Sequence, residues 1–494
     1  MCCLYSKCSN GTVIPTTLMT MNASLSAANT PNPQSQEFVS AVKSWVDQHF
    51  SDIVTDLSQL VAHRSLAFDG YDRAPLESSA AAVAELFKDL GFEQVHQLTE
   101  TNIDGEQSGP AVIARTPAHA DKPTVLLYAH HDVQPVGDRD AWDTDPWVAT
   151  EKSGRLYGRG TADDKAGIVV HHAAIRALQD LLGDNHGLGL TVFIEGEEEV
   201  GSPFFAQFLQ RHQQLLAADT IIVADSANWS VEIPALTTSL RGLVDGVIEV
   251  TVTEHPVHSG LFGGPVLDAN TTLARIIANL HTADGDVAIP GLDQTRWAEV
   301  VYNEEEYRQQ IGAVQGLELA GTGGLADRLW NKPALNIIGI DTTSIAESSN
   351  TIVHTARAKF SMRLGPGMDP QHAMDSLTAH VHNTAAFGAT VSVYPGEQGK
   401  PFVVDATSRA SVMMKQALTE AWGTEAIETG MGGSIPFVAD LVKAFPNASI
   451  LLTGIEDPDT KAHSPNESLD LSVLRHAIEA EILLLARMAL DHVE

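Results

Sequence analysis

Short apolar runs alternate with amphipathic segments over the first half of the chain. Residues 37–63 and 77–90 carry apolar side chains at helical spacing, and Gly91 follows the second segment. Later segments with helical character cover 165–182 and 203–216, and the apolar runs with the length of buried strands cover 111–114, 124–129, 191–194 and 221–224. Strand and helix in alternation predict an α/β fold, with a mostly parallel sheet flanked by helices.

The pattern changes after about residue 239. Strand-like and helical segments then follow in the order β-α-β-β-α-β, at 246–253, 268–282, 335–340, 351–364, 370–387 and 390–394. That order is the ferredoxin-like arrangement, and a long insertion at about 284–333 interrupts it. The α/β character returns with a strand at 449–454 and a helix at 471–492. We therefore expect a larger α/β domain in two parts, 36–238 and 400–494, with a smaller ferredoxin-like domain inserted at 239–399.

The first 35 residues differ from the rest of the chain. They are rich in Ser, Thr, Asn and Ala, and Met19 and Met21 are alternative sites of translation initiation. We therefore expect either a disordered tail or a segment that results from a misassigned translation start. All three cysteines, Cys2, Cys3 and Cys8, lie there, which excludes a disulfide framework or thiolate ligands in the folded part. No apolar run has the length of a secretory signal or a membrane span, and the expected compartment is the cytoplasm.

The chain is strongly acidic. Its 494 residues include 63 acidic and 30 basic side chains, for a net charge of −33. This charge repels phosphate groups and argues against nucleic-acid or anionic-membrane partners. Most of these carboxylates are expected on a solvated surface.

Histidine and carboxylate side chains follow the predicted strands where each strand ends. The side chains that stand there are His130, Asp132, Glu195, the run 197–199, Asp225 and, a few residues after the last strand, His463. Paired aspartates, Asp163 and Asp164, stand just before a predicted helix. In open α/β sheets, sites form outside the carboxyl ends of the strands. Carboxylates placed directly after buried strands are costly to bury unless a positive charge compensates them. Imidazole and carboxylate ligands suit a pair of divalent ions such as zinc, manganese or cobalt.

Six sequence blocks carry a resemblance to a known family. They are Tyr-Ala-His-His-Asp-Val-Gln-Pro at 128–135, Gly-Arg-Gly-Thr-Ala-Asp-Asp-Lys at 158–165, Glu-Gly-Glu-Glu-Glu-Val-Gly-Ser at 195–202, His-Ser-Gly at 258–260, Gly-Gly-Ser-Ile-Pro at 432–436 and Ala-His-Ser-Pro-Asn-Glu at 462–467. In this order they resemble the co-catalytic zinc peptidases that include carnosine dipeptidase, cytosolic nonspecific dipeptidase, carboxypeptidase G and succinyl-diaminopimelate desuccinylase. The resemblance runs from about residue 37 to the C-terminus and is closest to the dipeptidase branch. It implies a zinc-peptidase catalytic domain with an inserted lid and dimerisation domain.

The resemblance also implies a role for each metal-site residue. His130 and Asp225 would hold one ion, Glu199 and His463 the other, and Asp163 would bridge the two ions. Asp132 would orient His130, Glu198 would be the general base that takes a proton from the metal-bridging water, and the Asp163–Asp164 peptide would be cis.

Three further residues would contact the substrate. His258, from the partner subunit of a homodimer, would stabilise the oxyanion. Arg363 would bind the terminal carboxylate of the substrate, and Ser434 would assist through hydroxyl and backbone donors.

The sequence departs from the dipeptidase pattern at two places. The pair before Gly-Gly-Ser-Ile-Pro is often Arg-Glu but here is Gly430–Met431, and Thr-Val-Ile-Pro is replaced by Thr-Ile-Val-His at 351–354. Neither change removes a ligand, but both put the side-chain preference in question.

The reaction that we expect is hydrolysis of the peptide bond of small dipeptides with a free carboxylate. The alternative is an N-acyl amino-acid deacylase or desuccinylase, which would use the same site. The two activities are distinguished by whether the substrate must carry a free amino group. A catalytically dead scaffold or a calcium-binding acidic protein is disfavoured, because the ligands and the base are all present and no EF-hand spacing occurs.

Overall fold

The computed structural model describes residues 32–119, 121–183, 186–432 and 436–490. Residues 1–31 of the predicted tail, and Ser434, lie outside these ranges. The helices are α1 Gln36–Val61, α2 Ala74–Asp89, α3 Lys165–Leu182, α4 Phe205–Leu216, α5 Ser259–Phe262, α6 Ala269–Ala278, α7 Glu304–Gln310, α8 Leu325–Trp330, α9 Pro370–Thr384, α10 Arg409–Trp422, α11 Pro436–Ala444 and α12 Leu471–Leu490. The strands are β1 Gln94–Leu98, β2 Ala111–Thr116, β3 Thr124–His130, β4 Thr150–Lys152, β5 Arg155–Tyr157, β6 Gly189–Glu195, β7 Thr220–Val223, β8 Ala235–Leu240, β9 Gly242–Thr251, β10 Val257–His258, β11 Ala334–Asp341, β12 Thr351–Ile352, β13 Thr355–Leu364, β14 Thr390–Gly399, β15 Phe402–Val403, β16 Ile427–Met431, β17 Ser449–Leu452 and β18 Ser468–Asp470.

The larger sheet confirms the predicted α/β fold. Its strand order is β1-β2-β6-β3-β7-β17-β8-β15, and β16 also pairs with β8. The four central strands β6, β3, β7 and β17 run parallel, and antiparallel pairs extend the sheet at both sides. The carboxyl ends of these central strands therefore meet at one edge.

Helices cover both faces of this sheet. Along β3, Val125 and Leu127 pack into the core formed with α1, α2, α3, α10 and α12. Their neighbours Leu126 and Tyr128 point to the other face and pack with side chains of α4 and α11. Such alternation buries a strand on both faces and explains its nearly continuous apolar sequence.

The smaller sheet confirms the predicted ferredoxin-like order. Strands β11-β13-β9-β14 are antiparallel, and the chain order is β9, α6, β11, β13, α9, β14. Leu273 of α6 and Met374 of α9 pack on Ile248 and Phe360 in a separate core. All four strands lie between residues 242 and 399. The boundaries of the inserted domain, 239 and 399, stay a prediction.

One predicted strand is wrong in detail. Residues 351–364 form two strands, because the chain leaves the sheet at 353–354. At this break the carbonyl of Val353 accepts a hydrogen bond from Ala269 (2.9 Å), and that of His354 accepts one from Val252 (2.9 Å). The detached strand β12 pairs with β10 instead.

Within the described ranges, no helix is both long enough and apolar enough to cross a membrane.

A buried carboxyl group on α12 makes stability depend on pH. Glu479 is 3% exposed, and its Oε2 finds no hydrogen-bond donor among the described residues, while Lys43 Nζ lies 3.9 Å away. Burial raises the pKa of Glu479 from 4.5 to about 7, because the charge of Lys43 offsets the loss of solvation only in part. The folded state therefore holds the proton more tightly than the unfolded state, and this stabilisation is lost as pH rises from 4.5 to 7.

We expect the Glu479→Gln variant to be more stable than the wild type at pH 8, by about 1–3 kcal/mol, because glutamine carries no charge to desolvate. The advantage should shrink toward zero at pH 4.5. Urea unfolding at both pH values measures the difference, with Glu425→Gln at an exposed position as the control. An equal gain at both pH values, or no gain at pH 8, would contradict the assignment.

Candidate metal centre

The carboxyl edge of the four parallel strands carries most of the acidic and histidine residues singled out by the sequence. Strand β3 ends at His130 and β6 ends at Glu195, while Asp225 comes just after β7. His463 lies in the loop between β17 and β18. Parallel strands present their carboxyl ends together, so residues far apart in the sequence become neighbours here.

Five side chains form two groups of possible metal ligands. One consists of His130, Asp163 and Asp225, and the other of Asp163, Glu199 and His463. Within each group, one ligand atom per residue lies within 4.8 Å of the others. Asp163 belongs to both groups: its Oδ1 lies 3.0 Å from His130 Nε2, and its Oδ2 lies 2.8 Å from His463 Nε2. A carboxylate with one oxygen facing each group can bridge two ions.

The turn before α3 presents Asp163. The Asp163–Asp164 peptide bond is cis. Asp164 caps α3, since its side chain accepts hydrogen bonds from the backbone N–H of Gly167 (3.2 Å) and of His130 (3.3 Å). This buried aspartate therefore ties the turn to the end of β3.

A second carboxylate, that of Glu467, holds the same turn, and no sequence pattern predicted a role for it. Glu467 Oε1 accepts hydrogen bonds from the backbone N–H of Ala162 (3.2 Å) and Asp163 (3.3 Å). Its other oxygen forms a buried ion pair with Arg159. Both residues lie inside the quoted blocks, but their contact joins segments about 300 residues apart and has no local signal.

Asp132 orients His130 and also the glutamate segment. Its Oδ1 lies 3.4 Å from His130 Nδ1, so the Nε2 atom of that ring faces Asp163. Its two oxygens accept hydrogen bonds from the backbone N–H of Glu198 (3.1 Å) and Glu199 (3.0 Å). A carboxylate behind a histidine fixes the tautomer in many metal sites.

Gln134 is a further residue that the sequence did not single out. Its backbone N–H donates to Glu199 Oε1 (3.0 Å), and its side-chain amide donates to Glu199 Oε2 (2.7 Å). Both oxygens of a possible ligand are therefore positioned by one neighbour.

The electrostatics of the centre favour bound cations. Burial, together with the charge of Asp225, raises the pKa of Glu198 to about 9. Burial also raises the pKa of Asp225 to about 6, and that of Glu456, which the sequence did not single out, well above its ordinary range. His463, hydrogen-bonded to Asp163 and Glu199, has its pKa raised to about 10. Three neighbouring, half-buried carboxyl groups with raised pKa values indicate a deficit of positive charge, which two divalent ions would supply.

Glu198 is half-buried and belongs to neither group of ligands. Its backbone N–H donates a hydrogen bond to Asp132. Burial has the largest effect on the pKa of its carboxyl group, and the nearby charges of Asp225, His130 and Asp163 also contribute. A carboxyl group in this position can exchange a proton with a molecule bound between the groups.

The remaining residues with predicted roles lie elsewhere. His258 is exposed on β10, accepts a hydrogen bond from Gly260 N–H (3.1 Å), and is in neither ligand group. Arg363 is half-buried on β13, opposite Ala334 of β11 and Leu243 of β9. Ser434 falls outside the described residues.

Comparison with known proteins identifies the family. Residues 126–487 match Peptidase family M20/M25/M40. The cysteinylglycine-S-conjugate dipeptidase of Corynebacterium striatum is 33% identical over 439 residues, which cover 87% of this chain and 95% of that protein. The Beta-Ala-His dipeptidase of Mus musculus is 27% identical, covering 86% of this chain and 90% of that protein. The crystal structure of human carnosine dipeptidase 1 superposes with a TM-score of 0.72 at 25% identity, covering 93% of this chain and all of that chain. The chain therefore belongs to Peptidase family M20/M25/M40, a family of hydrolases that act on peptide bonds.

Proposed function

We propose that this protein is a metal-dependent dipeptidase that hydrolyses the peptide bond of small dipeptides with a free carboxylate. The observation that carries the proposal is Asp163, shared by two groups of histidine and carboxylate ligands, with Glu198 beside them. Relatives named as dipeptidases, similar over most of their length, support the same reaction.

The proposed ligands are those of the two groups. His130 and Asp225 would hold one ion, Glu199 and His463 the other, and Asp163 both. Two divalent ions bound here would supply a water of lowered pKa and would polarise the carbonyl of the scissile bond. Asp132 positions His130, and Gln134 positions Glu199.

The proposed general base is Glu198. Its carboxylate takes a proton from the attacking water and delivers it to the nitrogen of the leaving amino acid. Burial and the surrounding carboxylates give it a high proton affinity, as its raised pKa indicates. This affinity suits a group that must hold the proton between the two steps.

Four finer assignments belong to the proposal. Zinc is the proposed metal, because imidazole and carboxylate ligands suit it, with manganese or cobalt as substitutes. The proposed assembly is a homodimer in which His258 completes the site of the partner subunit, a role that fits its exposed position outside the ligand groups of its own chain. Ser434 is proposed to bind the substrate, and the proposed compartment is the cytoplasm.

Arg363 is proposed to bind the terminal carboxylate of the substrate. We expect Arg363→Ala to raise KM for dipeptides with a free carboxylate about 10–100-fold, because a hydrogen bond between charged groups contributes binding free energy of that size. Activity on the same dipeptides with an amidated C-terminus should change little. The matched control is Arg357→Ala on the same strand, an exposed arginine that pairs with Glu249. Unchanged KM in Arg363→Ala would contradict the role.

A substrate panel tests the reaction itself. The metal-reconstituted enzyme should release amino acids from dipeptides and leave N-acyl amino acids intact. Turnover of N-acyl amino acids alone would replace the dipeptidase by a deacylase or desuccinylase with the same centre.

A further inference from the structure

A cavity of about 480 Å³ lies between the larger sheet and the segment that interrupts the smaller sheet. We call it the aromatic cavity, and its apolar wall consists of Trp229, Tyr302, Tyr307, Leu329, Trp330 and Met431. Four of these rings form one cluster, with centroids 4.9 Å apart for Trp229 and Tyr302 and 6.2 Å apart for Trp229 and Trp330. The rings are only half-buried, because one side of each faces the cavity.

Two charged side chains of this wall, Arg241 and Asp457, make hydrogen bonds within the protein. Arg241 is buried and donates hydrogen bonds to the backbone carbonyls of Arg328 and Lys332, while its Nε has no hydrogen-bond partner among the described residues. Asp457 accepts two hydrogen bonds from Arg155, at 2.9 and 3.2 Å.

Asn228 is engaged in the same way. Its side chain donates to the carbonyl of Gly454 (2.9 Å) and accepts from Ala235 N–H (3.2 Å). The wall therefore offers mainly aromatic surface to a ligand, a composition that favours an apolar group.

The aromatic cavity adjoins the candidate metal centre. Ala227 and Asn228, both in the wall, come directly after the segment that carries Asp225. Ala227 pairs with Glu456 in a parallel bridge, and Asn228 N–H donates to the carbonyl of Glu456 (2.8 Å). A substrate with its scissile bond at the ligands can thus place a side chain in the cavity.

The shape of the cavity explains the unusual pair Gly430–Met431. A Cβ atom on Gly430 would lie 2.7 Å from Cβ and Cγ of Trp330 and 2.9 Å from Ser239 Oγ, so the indole packs where any side chain would stand. Met431 then adds a flexible, uncharged side chain to the wall. At this pair, the chain therefore presents an aromatic and neutral surface.

We propose that the aromatic cavity receives a bulky, uncharged side chain of the dipeptide substrate, either aromatic or long and apolar. The proposal rests on the dipeptidase function and names the substrate class of that enzyme. The volume of the cavity is within the range of about 300–1,000 Å³ that is usual for small-molecule sites.

The test uses the full-length, metal-reconstituted protein with two substrate series. In X-Gly and Gly-X, X is Phe, Leu, Ala, Asp or Lys, so that each arm varies one side chain. We expect kcat/KM for Phe to exceed that for Ala and Asp at least ten-fold in one series, and that series identifies which residue of the substrate enters the cavity. Equal rates for Phe, Ala and Asp in both series would overturn the proposal.

Two variants locate the preference in the cavity. Met431→Glu introduces a charge into the wall and should lower the Phe/Ala ratio of kcat/KM at least five-fold, whereas Val412→Glu, at an exposed position on α10, should leave the ratio unchanged. Trp229→Ala removes one ring and should lower the ratio in the same direction if Met431→Glu does not fold. A wild-type ratio in a folded cavity variant, as judged by its melting temperature, would overturn the proposal.

The two substrate series distinguish a failure of this inference from a failure of the proposed dipeptidase function. If no dipeptide of either series is cleaved, the proposed function fails, and with it the substrate class. If dipeptides are cleaved without preference for Phe or Leu, the function stands and the aromatic cavity has another role.

Discussion

Glu198→Gln is expected to lower kcat about 10²–10⁴-fold, the usual contribution of a general acid–base group. Glutamine has nearly the same shape but cannot accept and return the proton. The backbone of residue 198 is held by Asp132, so the new side chain should occupy the same position. Because Glu198 belongs to neither ligand group, the variant should still bind two metal ions per chain, as measured by elemental analysis after dialysis.

The control for this experiment is Glu151→Gln, the same change at an exposed position on β4, which should retain full kcat. Retention of more than a tenth of wild-type kcat by Glu198→Gln would exclude the base assignment. Loss of one metal ion together with activity would instead show that Glu198 is a ligand.

Asp163→Asn is expected to abolish binding of both metal ions, and activity with it. Asp163 is the carboxylate common to the two groups, and it faces His130 with one oxygen and His463 with the other. In the metal-free protein, hydrogen bonds from these histidines hold the pKa of Asp163 below its ordinary value despite burial, so it is an anion ready to bind cations. An amide has no charge and one acceptor oxygen instead of two.

Single-group variants make the comparison quantitative. Asp225→Asn and His463→Ala each alter one group, so each should retain one tightly bound ion, while His255→Ala, an exposed histidine, should retain two. Zinc should raise the unfolding free energy of the wild type by about 2.7 kcal/mol at a concentration of 100 times Kd, and this gain should vanish in Asp163→Asn. Two ions bound by Asp163→Asn with wild-type affinity would refute the shared role.

The sequence could predict the location of the centre because parallel strands impose it. His130 and Asp225 stand at or just after the ends of apolar runs, and the carboxyl ends of those strands meet at one edge. The helix that begins at Lys165 could also be predicted from the sequence, because the apolar pattern starts directly after the paired aspartates. The resemblance then assigned individual roles, such as that of Asp163, which periodicity alone does not give.

The residues that support the ligands could not be predicted from spacing. Gln134 contacts Glu199, and Glu467 contacts the backbone of Ala162 and Asp163, but these contacts join loops that no local pattern relates. Side chains that act through distant hydrogen bonds have no periodicity to reveal them.

The break between β12 and β13 escaped prediction for a similar reason. Val353 and His354 fit an extended strand by composition, and only the donor from Ala269 of α6 shows that the carbonyl of Val353 bonds outside the sheet. The aromatic cavity was equally hidden, since Trp229, Trp330 and Gly430 meet only in the folded chain.

The order of the metal-site residues along the chain has a consequence for protein synthesis. His130, Asp163, Glu199 and Asp225 all precede the smaller sheet, while His463 comes after it, near the C-terminus. A nascent chain still on the ribosome therefore carries one complete ligand group long before the other. On the proposed assignment, the second ion is bound only when the segment that carries His463 has emerged, so hydrolytic activity can appear only after the smaller sheet has been made.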